Sequence, residues 1–199
     1  MKTDNYTIKG DDSDVKEIQQ VIEKMAKFNE LPDKDMMKLQ LLAEELIGME
    51  KGLLGFTQGN FHAENSDNEY RLYLHADMNV DLDTQERFVN MSKDQKNTAY
   101  KGFLGKVRLI ADTFTYTPTG KEIIGYEAYA LSDTYAPYFS PADYDMTWAF
   151  SKYKEELDEE DSDNPIWDEL EHSVIASLSD DLIVASRNKS IDVIVVKKF

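Results

Sequence analysis

Between Lys93 and Arg108 the chain carries five basic residues (Lys93, Lys96, Lys101, Lys106 and Arg108) and a single acid, Asp94. The whole chain has 39 Asp+Glu against 22 Lys+Arg, a formal net charge of -17. The island is therefore a local reversal of sign. It coincides with Gly102-Phe103-Leu104-Gly105-Lys106. Glycines at the start of a helix allow close backbone approach, and the free N–H groups and helix dipole there favour an anion. Lys93, Lys96, Lys101, Gly102, Gly105 and Lys106 are thus the candidate anion-binding set. The alternative is that the lysines are solvated and Gly102 only begins a helix. The run lacks the spacing and the trailing Ser/Thr of a P-loop.

Other chemistry is thin. Glu44 and Glu45 are adjacent on a helix, about 100° apart, so the two carboxylates do not converge. Either one alone has the chemistry of a base acting on water. Zero cysteines exclude disulfides, thiolate metal sites and thiol catalysis. Three separated histidines, His62, His75 and His172, argue against a multi-histidine metal site. They give no ordered Ser-His-Asp set either. The stretch Asp161-Ser162-Asp163-Asn164-Pro165 has calcium-like spacing, but Ile166 and His172 stand where an EF-hand loop needs Gly and Glu. His75 falls on the polar face of its strand and reads as a surface histidine.

The elements that must position these residues follow from periodicity. Asp4–Gly10 is a short first strand. Asp14 with Glu17 has the form of a capping box. Val15, Ile18, Val21, Ile22, Met25 and Phe28 then form an apolar helical stripe. Leu31-Pro32-Asp33 breaks that helix. A second one starts near Asp35, with Met36, Leu39, Ala43, Leu46, Ile47 and Leu53 on its buried side. On that stripe Glu44 lies at the rim and Glu45 nearly opposite the centre.

Tyr70 to Val80 alternates strictly, with Tyr70, Leu72, Leu74, Ala76, Met78 and Val80 on one face, which predicts a half-buried strand. Phe56–Glu64 pairs with it across Asn65-Ser66-Asp67-Asn68. A short helix capped by Asp83, a helix through Phe103–Ile110, a strand over Ile123–Leu131 and a helix over Ile166–Leu178 follow. Leu182–Ser186 and Ile191–Val196 make a closing hairpin. The expected class is α+β, with helices on one face of a mostly antiparallel sheet, in one domain over 1–199. An aromatic and acidic insertion occupies about 132–165. Its aromatic residues read as core and lid packing or, alternatively, as a partner surface.

Some of these segments resemble a known family. Leu41-Leu42-Ala43-Glu44-Glu45-Leu46-Ile47-Gly48 looks like the helix bearing the Glu-x-x-x-Asn box of the histidine kinase-like ATPase superfamily, the GHKL or Bergerat fold. Ser92–Ile110 resembles its ATP lid and second glycine box, and the closing hairpin its last two strands. Small anti-sigma-factor serine kinase domains are the nearest subtype. The resemblance implies ATP or ADP with Mg²⁺ between the Glu44 helix, the Asp77 strand end and the Gly102 helix. Glu44 would be the catalytic carboxylate and Asp77 the acceptor for the adenine amino group. Two departures stand out. Gly48 occupies the position of the metal-holding Asn, and Asp77-Met78-Asn79-Val80-Asp81 lacks the adenine-box glycines. Without the metal ligand, little or no phosphoryl transfer is expected. The alternative is a non-catalytic module on the same fold that binds a regulatory protein.

The acidic balance argues against nucleic acid and against an anionic membrane surface. No apolar run reaches membrane length and the first residues begin no signal peptide. The chain is read as soluble and cytoplasmic.

Overall fold

In the computed structural model the described residues are 1–9, 12–49, 59–77, 146–152, 155, 173–187 and 190–199. In chain order they form β1 (Tyr6–Ile8), α1 (Asp12–Phe28), α2 (Asp33–Met49), β2 (Gly59–Ser66), β3 (Glu69–Asp77), β4 (Met146–Ala149), α3 (Val174–Leu178), β5 (Asp181–Arg187) and β6 (Ser190–Lys198). The expected helices at Asp83 and over Phe103–Ile110, the strand over Ile123–Leu131, and Lys93, Lys96, Lys101, Gly102, Gly105 and Lys106 lie outside the described residues.

The strands make one six-stranded sheet in the order β1-β2-β3-β6-β5-β4, and every pairing is antiparallel. The fold is α+β. The alternation in β3 sets its architecture. Tyr70, Leu72, Leu74 and Ala76 are buried on one face, as the period-2 pattern predicts. They join Phe61 and Ala63 of β2, Leu182 and Val184 of β5, and Ile191, Val193 and Val195 of β6 in one core. Ile18, Ile22 and Met25 of α1, Leu39, Leu42, Ala43, Leu46 and Ile47 of α2, and Ile175 of α3 close that core from the same side. A smaller apolar cluster of Ala149, Ile183, Ile194 and Val196, flanked by Tyr73, lies on the opposite face of the β4–β5–β6 half.

The β2–β3 hairpin turns on Asp67 and Asn68, with φ of 51° and 65°. Two consecutive positive φ values mark a type I′ turn, whose twist matches the flanking strands. The turn is therefore tighter than the four residues expected from the sequence, and Ser66 already pairs with Glu69. Residues before β1 extend the edge. Thr3 N–H donates to the Ala63 carbonyl at 2.9 Å, and the N-terminal amine donates to the Asn65 carbonyl at 2.6 Å.

Three expectations about the helices are corrected. Asp14 is not a cap. Helix α1 starts at Asp12, and Asp14, 3% exposed, accepts the Lys9 N–H at 3.1 and 3.2 Å, tying the helix to the end of β1. Phe28 is not core but 74% exposed, because the helix stops there. The chain leaves through a Schellman motif. Leu31 N–H donates to the Ala26 carbonyl at 2.9 Å and Glu30 N–H to the Lys27 carbonyl at 3.2 Å, with Glu30 at φ 55°. Leu31 then turns in to pack against the core. Thirdly, α2 begins two residues early, and Met36 is only partly buried while Leu42 and Met49 are fully inside.

Glu30 holds a left-handed conformation that costs a residue with a Cβ about 1–2 kcal/mol. Glu30→Gly is therefore expected to stabilise the protein by about 1 kcal/mol, a rise in Tm of about 2–4 °C. A thermal melt showing no rise would mean that the Glu30 side chain contributes interactions that offset its backbone strain.

Of the aromatic and acidic segment, residues 146–152 and 155 are described. Met146–Ala149 is β4, the last strand of the sheet among the described residues, paired to β5 with Trp148 opposite Val184. Phe150 is 1% exposed and belongs to the main core. The next turn is fastened by Asp181, which accepts Ser151 N–H and Oγ–H, both at 2.9 Å.

Candidate functional site

The face of the sheet turned away from the helices is polar across β2, β3 and the start of β6. Strand alternation puts Asn60, His62 and Glu64 of β2 beside Arg71, Tyr73, His75 and Asp77 of β3, with Asp192 of β6 next in line. His75 Nδ1 lies 2.7 Å from Asp192 Oδ1, and its Nε2 is 3.8 Å from Asp77 Oδ1. The Asp192 hydrogen bond raises the His75 imidazole above its ordinary value, against partial burial, and the charges of Asp192 and Asp77 add to the shift. His62 stacks on Tyr73 with ring centroids 4.4 Å apart and planes at 6°. Burial, helped by the Lys2 charge, lowers the His62 pKa against the pull of Glu64. Burial, reinforced by the Glu64 charge, pushes the Tyr73 phenol up to about 12. Partial burial drives the Glu64 carboxyl up, but the hydrogen bond and charge of Lys2 outweigh it and leave Glu64 below its ordinary value.

Chemically this array is a set of side-chain clamps, with His75–Asp192 joining β3 to β6 and the Asp77 and Glu69 contacts running along β3. Both His75 nitrogens face carboxylates, and Arg71 Nε donates to Glu69 Oε1 at 2.6 Å. Among the described residues no group of three or more His, Asp or Glu side chains is arranged to hold a metal. Two hollows of about 310 and 470 Å³ flank the β2–β3 turn, sharing Ser66, Glu69 and Arg71. The ion pairs of Arg71 with Glu69 at 2.6 Å and of Lys2 with Glu64 at 2.9 Å neutralise the charges beside them.

The His75 pair makes a pH prediction. Its folded pKa is raised above the unfolded value near 6.5. The charged pair's contribution is therefore complete below about pH 6.5 and fades as pH rises through the folded pKa. His62 shifts the other way, so its neutral form favours folding above that value. Comparing wild type with His75→Asn cancels the His62 effect. The substitution should cost more stability at pH 5.5 than at pH 9 in urea titrations. An equal cost at both pH values would contradict a charged His75–Asp192 pair.

Of the residues singled out for nucleotide chemistry, Glu44 and Asp77 are described, and the fold does not bring them together. Asp77 ends β3 on the His75 face, with its side chain 85% exposed. Glu44 points away from the sheet on the outer side of α2, where one carboxylate oxygen accepts Gln19 Nε2–H of α1 at 3.1 Å. The sheet and the helical layer lie between them. Glu44 is also the more exposed of the two glutamates, the reverse of the sequence reading. Leu42 and Met49 enlarge the buried stripe and rotate its centre toward Glu45. Gly48 is exposed, and a Cβ built on it would meet nothing within 4 Å. One turn on from Glu44 stands Gly48, and Asp77 ends β3 on the face of the sheet away from the helices.

Sequence reasoning missed the outer row of α2. Met37 and Leu41 are 60% and 48% exposed. With Lys34, Glu44 and Gly48 they fall at spacings of three and four, one line along the helix. The signal was present in the sequence as two apolar residues off the core stripe. No described helix is long and apolar enough to cross a membrane. No protein-family model matches this chain, and no curated protein is similar to it.

Proposed function

We propose that this chain is a non-catalytic protein-interaction module that acts through the outer face of its helical layer. The observation that carries this reading is the pair Met37 and Leu41, exposed side by side on α2 while the equivalent residues of the opposite face fill the core. Large apolar side chains adjacent on one solvated helix face favour a partner surface over a solvated one. The separation of Glu44 from Asp77 and the bare Gly48 support the absence of phosphoryl transfer, which depends on positioning and metal charge. The finer fold, a histidine kinase-like ATPase sandwich, belongs to the same proposal. Its support is the antiparallel sheet with helices on one face.

A second reading is favoured by one observation, the basic island from Lys93 to Arg108 in a chain of net charge -17. It makes the chain a sensor that binds ATP, ADP or another phosphate through Lys93, Lys96, Lys101 and Lys106. Thermal melts with ATP, ADP and GTP, each with and without Mg²⁺, separate the two readings. A ligand that binds only the native state raises Tm, by about 2.7 kcal/mol of stabilisation at a hundredfold excess over Kd. The interaction-module reading predicts no rise at millimolar nucleotide. A Mg²⁺-dependent rise that is lost when Lys101 and Lys106 are both replaced by Ala would overturn it.

A further inference from the structure

The outer row of α2 reads, from one end to the other, Lys34, Met37, Leu41, Glu44, and then Gly48. All five are exposed. The order is one positive charge, two apolar side chains and one negative charge. Such a row is complementary to itself when reversed. A two-fold axis at the level of Leu39 sets Lys34 against Glu44 of a second copy and Met37 against Leu41 of that copy, and repeats both contacts in the other direction. The parallel arrangement would put Lys34 on Lys34 and Glu44 on Glu44. The charge order thus selects one orientation.

Resting on the reading of this face as an interaction surface, we propose that its partner is a second copy of this chain, docked antiparallel through α2 about that two-fold axis. The local geometry favours close approach. Among the described residues nothing lies within 4 Å of a Cβ built on Gly48, so the end of the row presents backbone to a partner. Gln19 holds one oxygen of Glu44 at 3.1 Å, which orients the carboxylate and leaves its charge in place. Four side chains per copy bury less than the ~1,200 Å² of a standard stable interface, so the pairing is weak and reversible. The overall charge of -17 opposes association at a distance. At physiological salt that repulsion is screened beyond ~8 Å, and the contact is governed by the row itself.

The test is sedimentation equilibrium of the full chain at physiological salt, with Lys34→Glu, Glu44→Lys, the double reversal, and an equimolar mixture of the two single variants. Each single reversal places like charges across the two-fold axis and should weaken self-association by ~10-fold or more. The double reversal and the mixture both restore opposite charges and should return to within ~3-fold of wild type. Net charge alone predicts a different order, since Lys34→Glu makes the chain more acidic and Glu44→Lys makes it less so. Tighter self-association of Glu44→Lys, or indifference to every reversal, would therefore overturn the proposal. So would a wild type that stays monomeric to millimolar concentration. That last result would leave the interaction-module reading standing, since that reading falls on the nucleotide melts instead. All substituted side chains are exposed, so melts of the variants should lie within ~2 °C of wild type, which separates lost pairing from lost folding.

Discussion

Replacing Phe150 by Ala is expected to lower the stability of the protein by about 3–5 kcal/mol, the usual cost of removing a fully buried aromatic ring. Phe150 is 1% exposed and sits in the main core with residues of the helices and of five strands. It follows directly on β4, whose only described sheet neighbour is β5. The ring therefore helps to hold β4 against the body of the sheet. Urea titration measures the effect, with an unchanged m-value showing that the folded state keeps its extent. A loss of less than about 0.5 kcal/mol would mean that residues 146–150 are peripheral. They would then belong to a surface insertion, as the aromatic and acidic composition of 132–165 suggests.

The second large effect is a contrast within one helix. Leu46→Ala should cost about 2–5 kcal/mol, because Leu46 is fully buried against the sheet. Leu41→Ala should cost about 0.5 kcal/mol or less, because Leu41 is 48% exposed. The chemical change and the helix-propensity gain are the same at both sites, so the difference isolates burial. Equal costs would mean that the outer face of α2 is covered in the monomer, and the interaction surface would lose its basis.

Much of this fold is legible in local periodicity. The alternation from Tyr70 to Ala76 identifies both the strand and its core face, and Ile18, Val21, Ile22 and Met25 identify the inner face of α1. What periodicity does not carry is which neighbours each face meets. Leu42 and Met49 look like spare apolar residues until α2 is laid on the sheet, and with them the relative exposure of Glu44 and Glu45 inverts. Phe28 continues the apolar spacing of α1 beyond the point where Glu30 turns the chain. His75 reads as an ordinary surface histidine because its partner, Asp192, is 117 residues away and is brought alongside only by the β3–β6 pairing. The candidate site follows the same logic. The Glu-x-x-x-Gly spacing is a property of one helix, but whether Glu44 and Asp77 share a cleft depends on the side of the sheet each occupies.

The amide NMR spectrum of the full chain, followed first as the protein is concentrated and then as Mg²⁺-ATP is added, tests the central claim most directly. Self-pairing through α2 predicts concentration-dependent shifts centred on Lys34, Met37, Leu41 and Glu44, and the interaction-module reading on which it rests predicts none on adding nucleotide. Shifts that appear with Mg²⁺-ATP at Asp77 and across Lys93–Lys106, in a spectrum indifferent to protein concentration, would contradict it.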